Sequence, residues 1–305
     1  MNRRNFSKTL AGATLGTAAL ALEPLAAAAR PAEGPNPAAE APFKISVMLW
    51  TILTKLPFEE RLEKVAEAGY HNVELVGEYA KWTEVDFRRY NKKRSELGIT
   101  FDTTAGLRHG VGDPSAREAF LLDVRTELKI MEKIECPQLI VMSGNVVPGL
   151  APGAQHASCV EGLKRAAELV EGKNITLLLE NIDLEENPHY YMWSVPEAFK
   201  IIEEVNHPQV KFLYDFFHAQ ISGGNLIAHL EKHADKVGLV HIADVPGRHE
   251  PGTGEINYLN IYKKLAELNY HNYVAMEFLP LGDPVKALAH ARQEALQMVP
   301  FSNPG

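Results

Sequence analysis

The chain has 305 residues, 46% of them hydrophobic and 23% charged. That composition excludes a disordered chain, a collagen or a disulfide scaffold. A net charge of −8 with no long basic block argues against nucleic acid or an anionic membrane surface as the main partner.

The chain opens Met1-Asn2-Arg3-Arg4-Asn5-Phe6-Ser7-Lys8. An uncharged, weakly apolar stretch from Thr9 to Leu22 follows, and then Ala26-Ala27-Ala28-Ala29. A positive start, a short apolar stretch and a small-residue cleavage pattern predict a secretory signal over residues 1–29. The apolar stretch is shorter than the ~20 residues of a relaxed membrane span, so stable membrane insertion is not expected. Arg3-Arg4-x-Phe6-x-Lys8 is similar to the twin-arginine signal, which implies export of the folded protein to the periplasm of a Gram-negative bacterium. Residues 30–42 are rich in Pro and Ala and read as a flexible lead-in. The catalytic body is expected over residues 43–305.

From Lys44 onward, short apolar runs alternate with amphipathic segments. Strands are predicted at Ile45–Trp50, Asn72–Leu75, Ile99–Thr103, Gln138–Met142, Ile175–Leu179, Val210–Tyr214, Val237–Ala243 and Tyr273–Phe278. Helices are predicted at Phe58–Ala68, Glu84–Leu97, Ser115–Ile134, Ala157–Glu171, Val195–Val205, Leu226–Ala234, Tyr258–Leu268 and Pro284–Gln297. Parallel neighbours need a crossover, so this alternation predicts a parallel sheet. Eight strand–helix units predict an α/β fold, a single (β/α)8 TIM barrel. A doubly wound open sheet is the rival, but no glycine fingerprint follows Trp50. Cys136 and Cys159 lie outside any CxxC pattern, and the sequence does not decide whether they pair.

In such a barrel, reacting groups project from the C-terminal strand ends. Strand five runs into Glu180 and strand six into Asp215. Strand seven carries His241 and Asp244, and strand eight carries Glu277. The spacings of 35, 26 and 36 residues from Glu180 to Asp215, His241 and Glu277 are each about one strand–helix unit. Any one of these residues alone could cap a helix or fill a core. All four on consecutive strands converge on half of one rim. Clustered buried carboxylates repel, and a divalent cation removes the conflict. A set of mostly oxygen ligands favours one Mn²⁺, Mg²⁺ or Co²⁺ ion, with zinc chemically allowed. Glu74, at the end of strand two, and His109, after strand three, lie on the same face as further candidates. Trp50 and Trp193 are expected as pocket walls. Gly252-Thr253-Gly254 lacks the residues of a phosphate loop and reads as a structural turn.

The second half of the chain resembles the xylose isomerase-like TIM barrels, and within them the hydroxypyruvate isomerase branch. The likeness rests on four segments: Leu-Leu-Leu-Glu180-Asn-Ile-Asp183, Tyr-Asp215-Phe-Phe-His218, Val-His241-Ile-Ala-Asp244, and the stretch from Gly247 to Tyr258. The resemblance implies metal ligands Glu180, Asp215, His241 and Glu277. It implies that Glu180 and Glu277 double as the acid/base pair, and that His218, Arg248 and Glu186 meet the substrate. The branch often carries Gln where His241 stands, whereas ketose 3-epimerase relatives carry His.

The expected chemistry is proton transfer next to a carbonyl, through an enediolate stabilised by the metal. The leading expectation is an isomerase of a small hydroxy-keto acid or sugar. A ketose 3-epimerase, a lyase of oxidised glycosides and an exported sugar-binding barrel are the alternatives. The expected partner is a small molecule, and a homo-oligomer is compatible with the sequence.

Overall fold

The computed structural model describes residues 41–297, so the expected signal and most of the lead-in lie outside the described residues. In chain order, the elements are β1 (Lys44–Met48), α1 (Phe58–Glu67), β2 (Asn72–Leu75), α2 (Glu84–Glu96), β3 (Thr100–Thr104) and α3 (Arg117–Ile134). Next come β4 (Gln138–Val141), α4 (Pro152–Val170), β5 (Thr176–Glu180), α5 (Val195–Val205), β6 (Val210–Asp215), α6 (Phe216–Ser222) and α7 (Leu226–His233). The last are β7 (Val237–Ile242), α8 (Tyr258–Glu267), β8 (Tyr273–Met276) and α9 (Pro284–Gln297). The eight strands close into one barrel in sequence order, with β1 pairing parallel to β8 from Lys44↔Tyr273 to Val47↔Met276.

Side chains alternate across a strand, so inward residues recur every second position. Met48, Ile140, Leu178, Leu213, Leu239 and Ala275 form an apolar cluster inside the barrel. The opposite faces of the strands pack against the helices in a larger cluster that includes Val47, Leu139, Leu177, Phe212, Val240 and Val274. The alternation is kept in phase at β7 by a register shift. Phe212 pairs with Val237, but Leu213 pairs with Leu239, so Gly238 is the extra residue. A Cβ there would lie 2.6 Å from Leu178 and 2.8 Å from Lys211.

Two segments depart from the sequence expectations. Helix α4 begins at Pro152, five residues before the expected Ala157. Proline is suited to a first helical turn, where its missing N–H costs nothing. Helix α6 was not expected. The Asp215 carboxylate starts it by accepting the backbone N–H of His218 at 3.0 Å. Cys136 and Cys159 are both buried free thiols.

The loop after β7 is tied to one residue. Asp244 is fully buried, and its carboxylate accepts the N–H groups of Gly252, Gly254 and Ile256 at 2.9–3.0 Å. A Cβ on Gly254 would sit 2.0 Å from the Val245 carbonyl oxygen, so the turn needs glycine there. This wrapping holds Arg248 at φ +58 over the barrel mouth. Asp244→Ala leaves these loop donors without their carboxylate, and is expected to lower the unfolding free energy by about 2–4 kcal/mol in urea denaturation. A loss below about 1 kcal/mol would contradict the role of Asp244 as the tie of this loop.

Candidate active site

The inward phase set by the apolar cluster carries straight into the site. Glu180, Asp215, His241 and Glu277 each stand two residues beyond an interior residue: Leu178, Leu213, Leu239 and Ala275. All four turn inward at the C-terminal end of the barrel, and all are buried. One donor atom from each lies within 4.8 Å of the others. The His241 Nδ1 is 2.8 Å from Glu277 Oε2, 3.6 Å from Glu180 Oε1 and 3.9 Å from Asp215 Oδ2.

Three of these inward atoms, Nδ1 of His241, Oδ2 of Asp215 and Oε2 of Glu277, are buried and have no aligned hydrogen bond. Buried polar atoms are normally satisfied; His241 Nδ1 and Glu277 Oε2 lie 2.8 Å apart and can share a proton, and a single partner among the three would satisfy Asp215 Oδ2 as well. A divalent cation fits that donor set, three carboxylates and one imidazole. Electrostatics give the same picture. Burial, eased by His218 and reinforced by Glu277, pushes the Asp215 carboxyl up to about 6. Burial works against charge on His241, but Glu74 and then Glu277 override it and raise the imidazole well above its ordinary value. A cation bound there replaces the proton that those carboxylates otherwise hold on His241.

Glu277 differs from its neighbours. Burial would raise it, but Arg248 and His241 hold it well below the ordinary carboxylate range. Its Oε1 accepts a hydrogen bond from Trp50 Nε1 at 2.6 Å and lies 2.8 Å from Arg248 Nη2. The Arg248 Nη1 reaches Glu186 at 2.7 Å and approaches His218 Nε2 at 3.3 Å. The guanidinium also lies over the rings of Trp50 and Phe217, 5.2 and 5.0 Å from their centroids.

A cavity of about 320 Å³ opens above these residues. Of the residues named from the sequence, Glu180, Glu277, His218, Arg248 and Glu186 line it, whereas Asp215 and His241 do not. The opposite wall is apolar, built from Met48, Val76, Ala105, Leu107, Ile140 and Met142. Trp50 lines the cavity and Trp193 does not. His109 is turned away, its Nδ1 2.8 Å from Asp123. Glu74 also stays out of the cavity and lies behind His241.

Asp183 was not among the expected residues. It is fully buried, and its carboxylate pairs with His218 Nδ1 at 2.5 Å. It also accepts the backbone N–H groups of Glu185 and Glu186, at 2.7 and 2.8 Å. One side chain therefore orients His218 and the loop that carries Glu186. The signal was the carboxylate three residues after Glu180, but its partner is 35 residues away in sequence.

A model of the xylose isomerase-like TIM barrel family matches residues 62–296. The chain belongs to that family. This xylose isomerase-like barrel is 30% identical over 256 residues to the 2-oxo-tetronate isomerase of Pectobacterium atrosepticum, covering 81% of this chain and 96% of that one. It is 29% identical over 244 residues to the hydroxypyruvate isomerase of Escherichia coli, covering 78% and 94%. The structure of the AP endonuclease family 2 protein of Brucella melitensis superposes with a TM-score of 0.75 at 28% identity, covering 82% of this chain and 98% of that one.

The His218–Asp183 pair makes stability depend on pH. Burial alone would lower His218, but the Asp215 charge and the hydrogen bond to Asp183 raise it to about 9. Its folded value lies above the ordinary 6.5, so its contribution is full below that pH and is lost as pH rises through about 9. The metal-free protein is expected to melt at progressively lower temperature across this window, and Asp183→Asn should flatten the trend. An equally steep trend in Asp183→Asn would contradict the pairing.

Proposed function

We propose that this protein is a divalent-metal-dependent isomerase. It moves a proton between carbons next to a carbonyl in a small hydroxy-keto acid or sugar. The observation that carries the reading is the division of labour among the four clustered residues. Only Glu180 and Glu277 both belong to the cluster and line the cavity. Asp215 and His241 can hold a cation but do not face the substrate space. The two isomerase-named relatives support the reaction class.

Glu180, Asp215, His241 and Glu277 would hold the metal. When bound, it supplies Lewis acidity that stabilises negative charge on the oxygen beside the reacting carbon. Glu277 is held as a carboxylate by Arg248 and His241 and fixed in place by the Trp50 N–H, so it stands at the cavity in the form that can accept a carbon-bound proton. Glu180, three strands away, is placed to return a proton at the neighbouring carbon. Arg248 and His218 present N–H groups to substrate oxygens, and Glu186 steadies the guanidinium. The apolar wall and the Trp50 ring keep water away from the reacting carbons.

Epimerisation at one carbon is the second reading, favoured by the imidazole at His241 where the hydroxypyruvate isomerase branch often has an amide. The same two glutamates would then serve opposite faces of that carbon. Metal-loaded protein in D2O, given hydroxypyruvate and a panel of ketoses, should place deuterium next to the carbonyl of its substrate. Glu180→Gln and Glu277→Gln should each slow that exchange by roughly 10²–10⁴-fold. Exchange persisting at the wild-type rate in both variants would contradict the acid/base assignment. The product formed identifies an isomerase or an epimerase.

A further inference from the structure

Glu74 comes from β2, a strand that supplies none of the clustered ligands, yet its carboxylate meets His241 on β7. Two strands, β8 and β1, separate β2 from β7 in the closed sheet, so this contact crosses the barrel interior. The Glu74 Oε2 lies 3.0 Å from His241 Nε2, and both side chains are fully buried. The other imidazole nitrogen, Nδ1, faces the three carboxylates.

The geometry points to Glu74 as the positioning residue of the metal site: it holds the N–H of His241 at Nε2 and so aims the Nδ1 lone pair at the cation. This inference rests on the metal-site reading above.

The argument is one of valence. A neutral imidazole has one N–H and one lone pair. A carboxylate can only accept, so the proton belongs on the nitrogen that faces Glu74. The remaining lone pair is then directed into the cluster, and the negative carboxylate behind the ring makes that nitrogen a stronger donor. Rotation of the ring would break the contact inside a packed barrel.

A purely structural role explains the arrangement poorly. A buried carboxylate–imidazole pair contributes little net stability, because desolvation offsets its attraction, and apolar side chains could fill the same volume. Glu74 is also incompletely satisfied, since its Oε1 has no hydrogen-bond partner. The surroundings on the ligand-free side are polar as well. Asp102 on β3 is fully buried and accepts a hydrogen bond from Ser46 of β1 at 3.0 Å. A polar layer thus lies where an interior layer of a barrel is usually apolar.

Co²⁺ titration of the full-length protein, followed by visible absorption, tests the assignment without any substrate. Glu74→Ala is expected to weaken Co²⁺ binding by roughly 10–100-fold, the usual range for loss of a partner behind a metal-bound histidine, and to shift the absorption bands. Glu74→Gln keeps an acceptor oxygen for Nε2 and should recover part of that loss. It also covers the case in which the alanine variant does not fold. The same substitutions made in a His241→Ala background should have little further effect, because the residue acts through that ring.

Wild-type affinity and unshifted bands in the Glu74 variants would overturn the inference while leaving the metal site standing. An equal loss with and without His241 would also overturn it, by assigning Glu74 a general structural role. A wild-type protein that takes up no Co²⁺ would overturn the metal site itself, and the inference with it.

Discussion

Three carboxylates and an imidazole share a buried space in which no two donor atoms are more than 4.8 Å apart. Like charges that close, cut off from water, cannot all stay ionised without a compensating positive charge. Much of the site is arranged around that conflict. Asp215 is pushed toward its neutral form, His241 is driven to hold a proton, and Glu277 is kept ionised by Arg248. A divalent cation held by the four residues would settle the same conflict in one step, and would give the site a means of stabilising charge on an oxygen beside it.

The barrel supplies the rigidity that this crowding requires. Each of the four clustered residues continues the inward phase of a packed strand, so its direction follows from the apolar layer below it. The insertion at Gly238 keeps β7 in that phase. Loops then add further polar groups that line the cavity. Arg248 rides on a turn wrapped round Asp244, and His218 and Glu186 are both tied to Asp183. The chemistry is therefore divided by depth. Asp215, His241 and Glu74 lie below, whereas Glu180 and Glu277 reach from the cluster into the cavity.

The alternating pattern was sufficient to read the closed barrel and nearly every element, because each strand–helix unit writes its own periodicity locally. The four clustered residues were legible for a related reason: each ends an apolar run, one unit after the last. What escaped depends on contacts across the fold. Asp183 pairs with His218, 35 positions away, and Glu74, named from the sequence as a candidate for the cavity, pairs instead with His241, 167 positions away; no local pattern records such partners. Helix α6 is seven residues long and begins on the Asp215 side chain itself, so it leaves no amphipathic repeat to detect. His109 and Trp193 lie on the expected face of the barrel, but strand-end position does not decide which way a loop side chain turns.

The most direct test of the central claim is the metal content of the purified full-length protein, wild type beside Asp215→Asn, after equilibration with Mn²⁺. Asp215 is the informative choice because it stays outside the cavity, and Asn keeps a side-chain oxygen able to cap α6. The account predicts about one tightly held Mn²⁺ per wild-type chain and loss of that ion in a variant that remains folded. A wild-type chain that retains no ion, or a variant that retains it as tightly, would contradict the account.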